Sequence, residues 1–365
     1  MQQKPSNIGF DDFTSDSMID SWPKQTFFCI SKTKEGATNK CEGEGYKDFE
    51  KISAESRICW INCCVDDIEK EMPKIAETFG FRKIIAKELL SHKNSAYLDL
   101  GTELGLLVPA VKVRGLEVNI SSIFILVKNS TILSIHNRKV VRLIRFFNYA
   151  EAFIKKIPQE TPTADSITMV LLRILDKNDE KNFENLRIIE EEGDRINAML
   201  IDSKAPRERI GGKIYKMKHA LITYLGALWS SMDVLNSLRY GYSDLITDNP
   251  ALLKEFTVLA TDLTNHISLT EHMSEVLASG LEVLQSIYNN QLQILNNRLA
   301  LVVTWLTVLG TAVLVPNTLA TVFGIPSISE HIGWTEVMLI LVCSSIASAA
   351  LAYVVIKRMM PKKVD

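Results

Sequence analysis

The chain has 365 residues, with 41 Lys and Arg against 43 Asp and Glu and a formal net charge of −2. That balance lacks the basic footprint of a nucleic-acid binder, so no nucleic-acid partner is expected. No Gly-rich phosphate loop followed by Lys-Ser/Thr is present, and no Ser-His-Asp or Cys-His spacing supports catalysis, so neither ATP coupling nor an enzyme is indicated.

Residues 1–50 read as a weakly ordered extension. Positions 1–25 are polar and acidic, with no cleavable secretory signal, and KTKEGATNKCEGEGYKD reads as loop. Residues 51–160 read as an α/β domain. RICWINCCV is rich in β-branched and apolar residues and forms a strand. DDIEKEMPKIAETFGF opens on Asp66 or Asp67 and is apolar at Ile68, Met72, Ile75 and Phe79, one face of a helix. SAYLDLGTELGLLVPAVKV gives one or two strands. EVNISSIFILVKNSTILSIHN gives two more, joined at a KNS turn. The cysteines are Cys29, Cys41, Cys59, Cys63, Cys64 and Cys343. Cys59 and Cys63, with Cys29 and Cys41, could in principle meet at a zinc site, but their apolar setting suits small core residues.

Residues 161–298 read as long helices: one over about 164–202, one over about 207–245, and a third from Ala251 that nothing stops before the C-terminal apolar region. Gly280 alone interrupts it. Followed to Val322, this third helix is roughly 110 Å long and needs partner helices in water.

Residues 299–322 (LALVVTWLTVLGTAVLVPNTLATV) carry no charge and make about 36 Å of helix, enough to cross a bilayer. Residues 337–356 form a second charge-free span. The 323–336 link holds Glu330 and Glu336 and no Lys or Arg, whereas the 357–365 tail is basic and Arg298 precedes the first span. The positive-inside rule therefore places both termini in the cytoplasm of a multi-pass plasma-membrane protein.

The order of these parts, and four segments in particular, resemble the CorA family of divalent-metal channels. NNRLALVVTWLT (296–307) resembles the start of the family's pore helix, NRLNxVMKxLT. PNTLATVFGIP (316–326) is similar to the end of that helix. ISSIFILVKNSTILSIHN resembles its cytosolic strand hairpin, and DLTNHISLTEHMSEVL (262–277) the start of its long helix. The resemblance covers about residues 55–365. It implies an α+β cytosolic domain, long helices and a two-helix transmembrane hairpin, assembled as a funnel-shaped homopentamer. The first membrane helix would line the pore and the second would face lipid. The cargo would be a divalent cation, Mg²⁺ first with Co²⁺ or Ni²⁺ as rivals, crossing passively with no resident cofactor. A zinc-type transporter of the same superfamily and a non-conducting scaffold or sensor are the alternative readings.

The departures from the family pattern define the candidate site. Gly324-Ile325-Pro326 stands where the family has Gly-Met-Asn, preceded by Phe323 in place of Tyr, with Glu330 and Glu336 at the outer mouth. Pro326 offers no carboxamide and no N–H, only a carbonyl. Ala300 replaces the second Asn, Val303 the Met and Thr304 the Lys. The resemblance gives Val303 and Leu306 the apolar constriction, and Asn289 stands where an acidic ring often sits. Among Thr307, Thr311 and Thr318, the last is expected to face the pore. Asp262 best matches a regulatory metal ligand, while Glu190, Glu191, Glu192 and Asp194 read as a solvated face. Asn265 replaces an acidic partner, and His266 and His272 read as exposed.

Overall fold

The computed structural model describes residues 26–43, 45–201, 207–241, 243–325 and 332–359. The chain divides into two compact units, residues 1–280 and 281–365.

The first unit is built on a sheet of seven strands. They are β1 (Thr26–Thr33), β2 (Thr38–Gly43), β3 (Ser56–Cys64), β4 (Ala96–Asp99), β5 (Glu103–Arg114), β6 (Glu117–Lys128) and β7 (Thr131–His136). Their spatial order is β2-β1-β3-β7-β6-β5-β4. Every neighbouring pair is antiparallel except β3 and β7, which are parallel. The expected 120–137 hairpin forms, and its turn rests on Asn129, which adopts a left-handed φ of 50° as asparagine tolerates. β1 and β2 fall inside the segment read from sequence as a weakly ordered extension. Six consecutive buried residues of β1 and its pairing with β3 order it instead.

Helices cover both faces, which is why β3 and β5 read as almost unbroken apolar runs. On one face lie α1 (Phe49–Glu55), α2 (Ile68–Thr78) and α3 (Lys83–Ser91). Met72, Ile75, Ile85 and Leu89 meet Cys59, Ile61, Leu126 and Leu133 there. α2 starts at Asp67, whose carboxylate accepts from the Lys70 amide at 3.1 Å. α3 approaches β5 so closely that a Cβ on Gly105 would come within 2.9 Å of Ile85 and Leu89. The α2–α3 turn is pinned by Glu103, whose carboxylate is 1 % exposed and takes Lys128 Nζ at 2.9 Å and the Arg82 amide at 3.1 Å. Burial pushes the Glu103 carboxyl up, but the hydrogen bonds from Lys128 and Arg82 outweigh it and hold it below the usual range.

The other face is covered by α4 (Val141–Lys156), α5 (Thr163–Asp179), α6 (Asn182–Ile201) and α7 (Arg207–Tyr240). Phe28 stacks on Phe147 at 4.3 Å, and Trp60 packs on Phe146 at 5.1 Å. The single helix read over about 164–202 is in fact two, α5 and α6. Buried Asn182 opens α6 and donates to the Asp179 carboxylate at 3.3 Å, so the break is held by side chains rather than by Gly or Pro.

Beneath Trp60 runs a buried polar string. Trp60 Nε1 donates to Ser134 Oγ (3.0 Å), Ser134 meets Asn62 (2.6 Å), and Asn62 meets His136 Nε2 (3.1 Å). Burial pushes His136 down to about 4, so the ring is neutral. Its Nδ1 faces the Asn137 carbonyl at 2.8 Å and must carry the proton. Nε2 is therefore an acceptor, which assigns the Asn62 amide nitrogen to it and gives that nitrogen its partner.

α8 (Pro250–Phe323) runs 74 residues without interruption. In the first unit it buries Phe256, Ala260, Leu263, Ile267 and Thr270, an i, i+3, i+4 stripe. The second unit holds the rest of α8 together with α9 (Trp334–Met359). Both helices contain a stretch long and apolar enough to cross a membrane, and none of either stretch is buried. A soluble core helix would be enclosed, so the exposure favours lipid as the surrounding medium.

Candidate functional site

Within the second unit α8 and α9 mate along two ridges. On α8 the half-buried positions are Thr304, Val308, Ala312, Pro316, Leu319 and Phe323. On α9 they are Val337, Leu341, Ser344, Ser345, Ser348 and Ala352. Spacings of three and four place each set on one side of its helix. The contact is fixed at Pro316. Proline has no N–H, so the Ala312 carbonyl four residues earlier loses its helical donor. Ser348 Oγ of α9 lies 3.1 Å from that carbonyl and shares its one hydrogen with the Ser345 carbonyl at the same distance. A proline inside a membrane helix is tolerated when a neighbour satisfies the freed group in this way.

A second line on α8 is turned away from α9. At about 100° per residue, four of the five threonines of the apolar stretch (Thr307, Thr311, Thr318 and Thr321) fall within an arc of about 80°, and Thr304, half-buried on the α9 ridge, lies just beyond its edge. Asn289, Gln293, Asn296 and Ala300 lie on the same arc, as do Val303 at its edge and Leu314. The centre of the arc is about 120° around the helix from the α9 ridge. Apart from Thr304, every one of these residues is exposed. Arg298 projects on the opposite side, and no Asp or Glu occurs between residues 283 and 329. The result is a long, uncharged line rich in hydroxyls and carboxamides; off it, the span itself carries Asn317, and Asn290, Gln291 and Asn297 precede the span.

Each threonine hydroxyl on the line donates to the carbonyl four residues earlier: Thr307 to Val303 at 2.9 Å, Thr311 to Thr307 at 2.5 Å, Thr318 to Leu314 at 2.7 Å, and Thr321 to Asn317 at 2.8 Å. This back-bonding consumes the hydrogen and leaves the oxygen lone pairs, so the line presents acceptors.

The residues singled out from sequence distribute unevenly over this geometry. Asn289, Ala300, Val303 and Thr318 share the line. Leu306 is 71 % exposed but lies about 120° around the helix from Ala300, off the line. Phe323 sits on the α9 ridge. Gly324 and Ile325 end α8, with Gly324 N donating to Ala320 at 3.0 Å and Ile325 N to Val322 at 3.2 Å. Glu336 is exposed in the first turn of α9, next to Trp334, which is also exposed. Pro326 and Glu330 lie outside the described residues. In the first unit Asp262 is exposed, and its carbonyl accepts from His266 Nδ1 at 2.6 Å. On α6, Glu190, Glu191 and Asp194 are exposed while Glu192 is half-buried; Glu191 faces Arg187 at 3.6 Å and Glu192 pairs with Arg195. Among the described residues no three His, Cys, Asp or Glu side chains gather as a metal site. Cys29 and Cys59 approach at 3.4 Å, but both are buried core residues. Gln293, Asn296, Leu314 and Thr321 were not singled out from sequence, although the 100° period alone is enough to find them.

Comparisons with known proteins agree with this architecture. Residues 55–358 match the family described as "CorA-like Mg2+ transporter protein". The complete CorA magnesium transporter from Methanocaldococcus jannaschii is similar at 17 % identity and a TM-score of 0.65, over 92 % of this chain and 98 % of that one. The full-length CmaX protein is similar at 14 % identity and a TM-score of 0.60, again over 92 % and 98 %. The ZntB cytoplasmic domain from Vibrio parahaemolyticus is similar at 14 % identity and a TM-score of 0.53, over 73 % of this chain and all of that one. At these identities the structural likenesses speak to fold. No curated protein sequence matches the chain.

Proposed function

The chain belongs to the CorA family of metal-ion transporters, and on that premise we propose that it is a passive conduit for divalent cations, Mg²⁺ first and Co²⁺ or Ni²⁺ after it. In this reading five copies place the polar line of α8 around a shared axis in the plasma membrane, with both termini in the cytoplasm and α9 outermost. The observation that carries the proposal is the line itself. A row of exposed hydroxyl oxygens on the side of a membrane helix away from α9, continued before the span by the carboxamides of Asn289, Gln293 and Asn296, is suited to a water-filled path.

The chemistry of the line favours Mg²⁺ over the zinc alternative. Neutral oxygens suit a hard cation that keeps its water, whereas Zn²⁺ is held by Cys, His or carboxylate. Residues 289–321 contain none of those three. Arg298, projecting away from the line, keeps its charge off the path. The exposed aromatic residues Trp334 at one end of the hairpin and Tyr353 near the other fit the two interfacial belts of a bilayer.

The purified protein, reconstituted in liposomes with a trapped Mg²⁺ dye, is expected to pass Mg²⁺ down an imposed potential, with Co²⁺ and Ni²⁺ competing. Absence of flux for every divalent ion tried, across an assembly of verified stoichiometry, would sink the conduit and leave the scaffold reading.

A further inference from the structure

The outward face of α7 carries an apolar stripe. Tyr215, Ile222 and Trp229 recur every seven residues, so they drift only about 20° around the helix at each step. They are 73 %, 58 % and 52 % exposed, so no described element covers them. Beside Ile222 the stripe opens on a groove of about 220 Å³ between α7 and the β5–β6 hairpin. Pro109 of β5 and Ile120 of β6 line its far wall, and Ile120 is itself exposed. On the α7 side Gly226 leaves the helix backbone open to a visiting chain, since a Cβ there would meet nothing within 4 Å. Exposed apolar surface gathered in this way marks an interaction site.

We propose that the groove and stripe are the docking surface for residues 1–25 of the same chain, which lie outside the described residues. The proposal goes beyond the conduit reading and does not depend on it. Three observations name this occupant. The first is its apolar content: Phe10, Phe13, Ile19 and Trp22 stand in a segment with no other described partner. The second is charge. Asp11, Asp12, Asp16 and Asp20 outnumber Lys4 and Lys24 there, whereas α7 carries Lys213, Lys216 and Lys218 and no Asp or Glu between residues 209 and 232. Lys216 and Lys218 are exposed within two turns of Ile222, so an acidic, aromatic segment complements the surface in both respects. A twofold contact between two copies would instead set this basic face against itself.

The third observation is where the segment joins the fold. Thr26 pairs with Cys64, Cys64 with His136, His136 with Ile123, and Ile123 with Val108. The segment therefore leaves the sheet at the level of Val108, one residue short of Pro109 in the groove. The separation across the sheet is four strand spacings, about 19 Å. Seven residues, from Thr26 back to Ile19, reach about 23 Å when extended, so the apolar part of the segment has length to spare.

The test uses the full-length protein with Ser230→Cys, a near-isosteric change in the groove wall, and a water-soluble thiol reagent, with labelling of the native cysteines subtracted. Cys labelling at position 230 is expected to be about tenfold slower in the full chain than in the same variant lacking residues 2–25, the protection that about 90 % docking gives. Phe13→Ser with Trp22→Ser in the full chain accelerates labelling as the deletion does, which decides the matter if the shortened chain fails to fold. Asp11→Asn, Asp12→Asn, Asp16→Asn and Asp20→Asn together give an intermediate rate. Glu88→Cys on α3, across the sheet, labels equally in every background. Fast labelling at position 230 in every chain would mean that nothing covers the groove and would overturn the proposal. Slow labelling that persists without residues 2–25 and in the Phe13 and Trp22 variant would overturn it too, and would assign the groove to a second copy or another protein.

Discussion

Ala300→Lys is expected to lower divalent-cation flux by more than about tenfold, while Val302→Lys leaves it within about twofold of wild type. The two positions are neighbours in sequence but lie about 160° apart around α8. Ala300 is on the polar line, and Val302 is on the far side, exposed on 62 % of its surface. A lysine at Ala300 puts an ammonium about 5 Å from a passing divalent ion. Even at an effective dielectric of about 20 the repulsion is on the order of several kcal/mol, far more than the 1.4 kcal/mol or so that a tenfold change needs. A lysine at Val302 lies near the same interface as Arg298 and reaches headgroups with its ammonium. Flux and the elution profile of each variant check the prediction together. Equal inhibition by both lysines would mean that charge near the interface, rather than position on the line, decides the outcome.

The second large effect belongs to the first unit and to stability. Arg142→Met is expected to lower the unfolding free energy by about 3–5 kcal/mol, the cost of breaking a buried charged network by removing one partner. The Arg142 guanidinium donates to the Val111 carbonyl of β5 and the Asn178 carbonyl at the end of α5. Asn178 donates to the Pro109 carbonyl at 2.9 Å, Asn185 to Val111 at 3.2 Å, and Tyr224 to the Asn182 carbonyl at 2.6 Å. This network ties α4, α5, α6 and α7 to one edge region of the sheet. Although part of Asp179 is exposed, its carboxyl is enclosed. Burial pushes it up to about 7, against the opposing pull of Arg142. A carboxyl with a raised folded value binds its proton more tightly in the folded state. Its stabilising contribution is full below about 4 and is lost as pH rises through about 7. Without Arg142 the value rises further, so the loss in the variant extends to higher pH. Denaturant unfolding of wild type and variant between pH 5 and pH 8 measures both effects. A variant as stable as wild type across that range would show the network to be incidental.

How much was legible in sequence depended on whether a signal was local. The β6–β7 hairpin declares itself through alternating apolar runs around Lys128-Asn129-Ser130. The membrane hairpin declares itself through two charge-free spans. β1 and β2 were missed because TFFCISKT is flanked by turn-forming residues, and its order comes from β3, a non-local partner. The α5–α6 break was missed because no Gly or Pro marks it; buried Asn182 and Arg142 do the work through tertiary contacts. α3 and α4 are short or moderate amphipathic helices that a coarse reading passed over.

The candidate site divides in the same way. Departures from the family pattern at Ala300, Val303 and Pro326 could be read from aligned letters. The membership of Gln293, Leu314 and Thr321 in one line needed only helical periodicity. That this line faces away from α9 could not be read, because it depends on Ser348 meeting the carbonyl that Pro316 frees. Leu306 lies about 60° around the helix from Val303, the residue with which the family resemblance grouped it.

The central claim is that one side of α8 faces water inside the membrane. Single cysteines placed along the membrane part of the helix and challenged with a membrane-impermeant, water-soluble thiol reagent test it directly, with wild-type labelling subtracted. Labelling at positions 300, 307, 311 and 318, with protection at 302, 309, 313 and 320, is the pattern the geometry predicts. Uniform protection, or labelling without the 100° period, would contradict it.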